Sequence, residues 1–210
     1  AERTITPVFV DIITEPDTYT PVSFPGRPAP TPDSFVTFTA IVEESNPLPA
    51  SAYRYEWKKN GRAVQGEYIA GPQITIPIEN RKDHTISVTV SHPERGIIGQ
   101  EFIKIPVLEP IVNFYEVHSL YGKLQQALSG SKRINTNQLQ ILAVPYYYNN
   151  EILRADPEIE WGLNDRPVQQ GSVQISLERL RENGSDILEF TIKGKKILDQ
   201  RVRKTIQLLY

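Results

Sequence analysis

The chain of 210 residues has no cysteine, no methionine, two tryptophans and three histidines. Without cysteine there is no disulfide, no thiolate nucleophile and no sulfur-ligated zinc, so side-chain packing alone must hold the core. A chain that opens Ala1-Glu2-Arg3 rather than on methionine reads as one that has lost its start, through signal-peptide cleavage or as part of a longer protein. No window approaches the roughly 18 consecutive apolar residues of a membrane-spanning helix, so no membrane insertion is expected within these residues and any anchor lies outside them. His84, His92 and His118 lack a second histidine at ligand spacing, which argues against a histidine-based metal centre and leaves each as a solvated side chain at a strand end or turn. The formal net charge of −2 excludes a strongly basic nucleic-acid binder. By halves, residues 1–110 carry −4 and residues 111–210 carry +2, an asymmetry that would favour head-to-tail contact between copies but that screening at physiological salt weakens toward ordinary solvated faces.

What the chain does contain is a repeat. Glu-Trp-x-x-Asn occurs at Glu56-Trp57-Lys58-Lys59-Asn60 and again, 104 residues later, at Glu160-Trp161-Gly162-Leu163-Asn164. Ahead of each lies an alternating stretch, Val36, Phe38, Ala40 and Val42 in the first copy and Leu139, Ile141, Ala143 and Pro145 in the second. Period two marks strands with one buried face. Behind each, Ile74, Ile76 and Ile78 match Val173, Ile175 and Leu177, and Ile86, Val88 and Val90 match Leu188, Phe190 and Ile192. Gln100–Lys104 then aligns with Gln200–Lys204. Asn60-Gly61 is a strong hairpin signal, and Asn164-Asp165 a weaker one for want of the glycine. The pattern predicts two all-β domains, residues 1–110 with a proline-rich N-terminal segment and residues 111–210, each large enough to bury a core unaided.

Short strands separated by turns, with one early tryptophan in each unit of about a hundred residues, resemble tandem bacterial immunoglobulin-like or PKD-like surface domains. Tyr55-x-Trp57-x-x-Asn60-Gly61 and Ile159-x-Trp161-x-x-Asn164 carry the likeness. A fainter similarity to surface proteins of candidate-phylum bacteria rests on Asn113-Phe114-Tyr115-Glu116-x-His118-x-Leu120-x-Gly122. The resemblance implies two immunoglobulin-like β-sandwiches in series, with Trp57 and Trp161 packed between the sheets as structural core.

Outside the repeat, residues 7–32 hold seven prolines with Tyr19 and Phe24 interleaved. Proline cannot donate to a central ladder, so this is an edge strand lying along the first sandwich or an arm that docks on another molecule. Residues 6–13, with Val8, Val10 and Ile12 alternating, form a strand that pairs locally or is donated to another molecule. Pro106 and Pro110 stiffen the joint, and Leu120, Leu124, Ala127 and Leu128 fall at helical spacing, predicting one short helix near the domain junction that restrains the angle between the units.

Chemistry is sparse. Ser129-x-x-Lys132 lacks its companion motifs and reads as a turn. Asp156, Glu158 and Glu160 share a strand face, as an acidic cluster of Asp11, Glu15 and Asp17 gathers near the other end, but calcium needs six to eight oxygens and these stretches supply too few. Lys104, Lys204 and Asn113 leave a spontaneous isopeptide bond arithmetically open. Lys193, Lys195, Lys196, Arg201, Arg203 and Lys204 make the last hairpin basic without the interleaved aromatics that nucleic acid would require. Tyr146-Tyr147-Tyr148-Asn149-Asn150 is the most unusual string; with Tyr19 and Phe24 it offers ring surface for a protein or carbohydrate partner, and a strand end covered by the adjoining domain accounts for the tyrosines equally well.

No acid, base and nucleophile can be assembled, so no catalytic residue and no cofactor is assigned. The sequence therefore reads as a non-enzymatic structural or adhesive module of a bacterial cell-surface protein or assembly, located outside the cell and contacting a protein partner or neighbouring copies. A carbohydrate-binding accessory module acting on envelope polysaccharide is the alternative.

Overall fold

A computed structural model describes residues 8–45, 48–64, 71–79, 82–179, 183–194 and 200–210. In chain order the strands are β1 (Phe9–Pro16), β2 (Thr18–Tyr19), β3 (Ser34–Glu43), β4 (Arg54–Lys59), β5 (Arg62–Ala63), β6 (Gln73–Ile78), β7 (His84–His92), β8 (Gly96–Ile105) and β9 (Ile111–His118). There follow β10 (Gly122–Leu128), β11 (Ser131–Arg133), β12 (Gln138–Tyr146), β13 (Tyr148–Asn149), β14 (Glu158–Leu163), β15 (Arg166–Gln170), β16 (Gln174–Glu178), β17 (Ser185–Lys193) and β18 (Arg201–Leu209). A 3₁₀ turn at Ala50–Ala52 and the five-residue helix α1 (Asn150–Arg154) complete the elements among the described residues.

The chain divides into two compact units. Unit 1 comprises Ala1–Asp17 and Pro28–Leu108, and unit 2 comprises Thr18–Arg27 and Glu109–Tyr210. The expected 1–110 domain thus loses Thr18–Arg27 to its neighbour, because β2 pairs antiparallel with β13 and Tyr19 O accepts from Tyr147 N at 2.7 Å. The chain consequently passes between the units three times. Residues 6 and 7 of the proposed N-terminal strand lie outside the described residues; Phe9–Pro16 forms a full ladder with β3.

Within unit 1, a sheet ordered β1-β3-β6 faces one ordered β5-β4-β7-β8. Unit 2 repeats this plan with β9-β12-β16 and β15-β14-β17-β18, then adds β10 outside β9 and β11 parallel to β18. Strands matched by the sequence repeat hold matching places: β3 with β12, β4 with β14, β6 with β16, β7 with β17 and β8 with β18. Alternation explains why. Every second residue of β7, from His84 to Val90, is buried and its neighbours are not.

Trp57 and Trp161 are 1% and 0% exposed, each in the core of its own unit. Both indoles donate to the carbonyl just ahead of the next core strand, Trp57 Nε1 to Gly71 O at 3.4 Å and Trp161 Nε1 to Ser172 O at 2.8 Å. Phe114 stacks on Trp161 at 5.5 Å and Phe190 meets it edge-on at 4.8 Å. Such packing explains the Trp of the repeated motif.

The turn explains its Asn. Asn60 and Asn164 have φ of 53° and 50°, the left-handed conformation that Asn tolerates best among residues with a Cβ. Asn60 N donates to Thr85 O at 2.7 Å while Asn60 Oδ1 accepts from Thr85 N at 2.9 Å. Asn164 makes the same pair of bonds with Ile187, each 2.9 Å. The second turn needs no glycine, since Asp165 adopts φ of 62° where Gly61 has 78°.

The expected helix around Leu120–Leu128 is a strand. Gly122 at φ +67° turns the chain after Ser119-Leu120-Tyr121, and β10 runs back along β9 with a register irregularity between Lys123 and Ala127. That irregularity changes which residues face inward, and an edge strand so interrupted mimics the spacing of a helix face. The short helix lies instead at Asn150–Arg154, where Asn149 Oδ1 caps it by accepting from Glu151 N at 2.7 Å.

Candidate functional site

The ring cluster at the end of β12 was the sequence's leading contact surface, and unit 2 uses most of it internally. Tyr147 has φ of 59°, which interrupts strand alternation and separates the destinations of its two neighbours. Tyr148 is fully buried in the core and its hydroxyl donates to Gln200 O at 2.7 Å. Asn149 is buried beside it, its N–H donating to Gln200 Oε1 at 2.8 Å. Tyr146, 6% exposed, belongs to a smaller cluster with Tyr115 and Val144, and the Tyr115 and Tyr146 hydroxyls lie 2.6 Å apart. Burial, reinforced by the bond to Tyr115, pushes the Tyr146 hydroxyl well above its ordinary pKa, so it stays protonated.

The Thr18–Arg27 arm covers this second cluster. Phe24 meets Tyr146 edge-on at 5.4 Å and Tyr147 at 5.9 Å, while Lys123 Nζ stands 4.2 Å from the centre of the Tyr115 ring. Tyr146 and Tyr148 are therefore inaccessible to a sugar; Tyr147, Tyr19 and Phe24 are half-buried. Exchanging Phe24 for alanine removes two edge-to-face contacts and part of a buried ring, and is expected to cost unit 2 roughly 1 to 2 kcal/mol. Thermal melts followed at Trp161 check this; an effect confined to unit 1 would contradict the arm's placement.

The histidines serve the framework. His92 Nδ1 accepts from Glu94 N and His118 Nδ1 from Leu120 N, each at 3.2 Å, so both cap the turn that follows them. Tyr121 stacks on the His118 ring at 4.8 Å. His84 departs from the solvated reading: it is 2% exposed, with Nδ1 at 3.1 Å from Asn60 Nδ2. Of the remaining candidates, Lys132 pairs with Glu116, Arg203 pairs with Glu189, and Lys104 pairs with Asp83 at 2.9 Å. Lys195 and Lys196 lie outside the described residues.

Open, polar surface is found on the outer face of the sheet β14-β15-β17-β18 of unit 2. A groove of about 790 Å³ is lined there by Glu158, Glu160, Gln170, Thr191, Lys193 and Arg201 among others. The carboxylates read from sequence thus border a groove together with basic residues of the last hairpin, but among the described residues no three His, Asp or Glu side chains are grouped to hold a metal ion. Sequence reasoning reached these residues singly and missed the groove, since it forms only when β14 and β18 come side by side around β17.

Neither a family model nor a curated protein sequence matches the chain. Among solved structures, the three N-terminal domains of the Highly Immunogenic Outer Capsid protein of bacteriophage RB49 align over 98% of this chain and 59% of that one, at 12% identity and a TM-score of 0.51. This chain therefore spans about three-fifths of that structure. Fibronectin(III)-like modules of Clostridium thermocellum CbhA align over 96% of this chain and 93% of theirs, at 10% identity and a TM-score of 0.29. The likeness extends to fold. With its strand order, its paired buried tryptophans and the alignment to the capsid-protein domains, the chain has the fold of two tandem immunoglobulin-like β-sandwich units.

Proposed function

We propose that the chain is a non-enzymatic structural or adhesive module displayed on the outside of a cell or particle, acting as a spacer or subunit in a surface assembly. The observation that carries this reading is how the chemically able side chains are used. His92 and His118 cap turns, His84 and Asn60 tie a hairpin to its sheet, and Tyr146 and Tyr148 fill hydrophobic clusters. What faces solvent is the outer surface of the sandwiches, polar around the groove of unit 2 and carrying apolar side chains such as Phe9, Ile97 and Phe102 elsewhere. The phage protein whose domains share this fold is by its title an outer capsid protein, which agrees with display on a surface. Partners on this reading are neighbouring copies or another surface protein. Antibodies raised against the folded chain should label intact source cells or particles; labelling that appears only after permeabilisation would overturn the proposal.

Carbohydrate binding is the second reading, and the groove beside Glu160, Gln170 and Arg201 is what favours it. Its amide, carboxylate and guanidinium groups can bond to hydroxyls. On this reading Glu160→Gln together with Arg201→Ala should abolish retardation in gels containing envelope polysaccharide while leaving the melting temperature nearly unchanged. An unmodified chain that migrates without retardation would sink it.

A further inference from the structure

The two units share one latch and differ in a single partner of it. In unit 2 the amide of Asn164 accepts from Ile187 N and donates from Nδ2 to Asp186 Oδ1 at 2.6 Å. In unit 1 Asn60 occupies the same turn and accepts from Thr85 N, and the place of Asp186 at the start of the strand is taken by His84. Because Thr85 N requires an acceptor, Oδ1 of Asn60 is assigned to it and Nδ2 must face His84. Both Nδ2 hydrogens are donors, so Nδ1 of His84 can only accept, and the ring is neutral with its proton on Nε2. That Nε2 is buried and, among the described residues, has no hydrogen-bond partner.

We propose that the Asn60–His84 pair is an acid-sensitive latch, through which mild acid loosens the β4–β5 turn of unit 1 while the corresponding turn of unit 2 stays fastened. Protonating Nδ1 would set N–H against N–H and bury a positive ring that, among the described residues, has no counter-ion in contact. A carboxyl group, by contrast, keeps an acceptor oxygen in either protonation state, so Asp186 can receive the Asn164 bond across the same pH range.

The charged groups around His84 do not cancel the effect. Lys59 on β4 opposes a second positive charge; its ammonium donates to Pro77 O at 2.8 Å and lies 3.8 Å from Glu79. Glu79 and Asp83 favour protonation, but Asp83 is paired with Lys104 on β8 at 2.9 Å. Burial first, then Lys59, holds the His84 imidazole below its ordinary value of 6.5. The sign follows from linkage. In the unfolded chain the ring protonates near 6.5 and in unit 1 only at lower pH, so the unfolded state binds more protons between the two values. Stability of unit 1 is therefore complete above that range and falls as pH drops through it, the unfolding constant rising by up to about tenfold per pH unit.

The full chain labelled with 5-fluorotryptophan tests this, since Trp57 and Trp161 report one unit each. Urea unfolding followed by ¹⁹F NMR at pH 7.5 and 5.5 should show the Trp57 midpoint falling with pH and the Trp161 midpoint changing less. His84→Asn, which offers an acceptor that does not titrate, should remove the excess shift at Trp57. Equal shifts at both tryptophans, or an excess that persists in His84→Asn, would overturn the proposal. Should that variant fail to fold at pH 7.5, the imidazole ¹⁵N signals of the unaltered chain decide. A His84 ring protonated on Nε2 and titrating below 6.5 supports the latch; one protonated on Nδ1, or titrating at or above 6.5, rejects it.

Discussion

Replacing Trp161 with alanine is expected to destabilise unit 2 by about 3 to 5 kcal/mol, and Trp57→Ala to do the same to unit 1. Both rings are essentially unexposed, and Trp161 lies between Phe114 and Phe190 where relaxation cannot refill an indole-sized space. The loss includes the hydrogen bond from Nε1 to Ser172 O, whose acceptor sits at the entry to β16. Against a total of about 5 to 15 kcal/mol for an ordinary domain, such a change brings the affected unit near its threshold. Hydrogen exchange resolved along the chain should show the loss of protection concentrated in the strands of the substituted unit. Uniform loss across both units would mean that they unfold as one body, and unchanged protection would mean that the indole carries no core packing.

Tyr148→Ala should cost a comparable amount, about 3 to 5 kcal/mol, because its ring is wholly enclosed in the unit 2 core. Tyr148→Phe keeps the ring and removes only the bond from the hydroxyl to Gln200 O, so about 1 kcal/mol is expected. The pair of variants separates packing from hydrogen bonding. It also separates a core role from a contact role: a surface contact would leave the melting temperature of the alanine variant unchanged. Denaturant midpoints for the two variants provide the measurement.

These expectations favour the covered strand end over the contact surface for Tyr146 and Tyr148, and the reason is physical. Alternation along a strand says that Tyr146 and Tyr148 share one face and Tyr147 takes the other. In the folded chain Tyr147 adopts a positive φ, so Tyr146 reaches the outer cluster and Tyr148 the core. Nothing in the local string announces that an arm from residues 18–27 will cover the outer cluster with Phe24. Exposure is a property of what lies opposite, and what lies opposite here comes from more than a hundred residues away in the chain.

The framework itself was legible because its signals are local. Period-two alternation follows from the geometry of an extended backbone, so Val36–Ala40, Ile74–Ile78, Ile86–Val90 and their later counterparts could be recognised as half-buried strands one at a time. Two tryptophans in the same place in that order, each followed by an asparagine three residues on, sufficed to pair the copies and imply a sandwich. Only tertiary structure decided that Thr18–Arg27 belongs to unit 2, that Gly122–Leu128 is a strand, that His84 is buried, and that carboxylates and basic residues of separate strands border one groove. Each of these depends on the register and partner of a segment rather than on its own pattern. A spacing of three and four residues can be satisfied by a helix or by an irregular edge strand, and a half-polar segment can be buried or exposed, until the long-range contacts that distinguish those states are made.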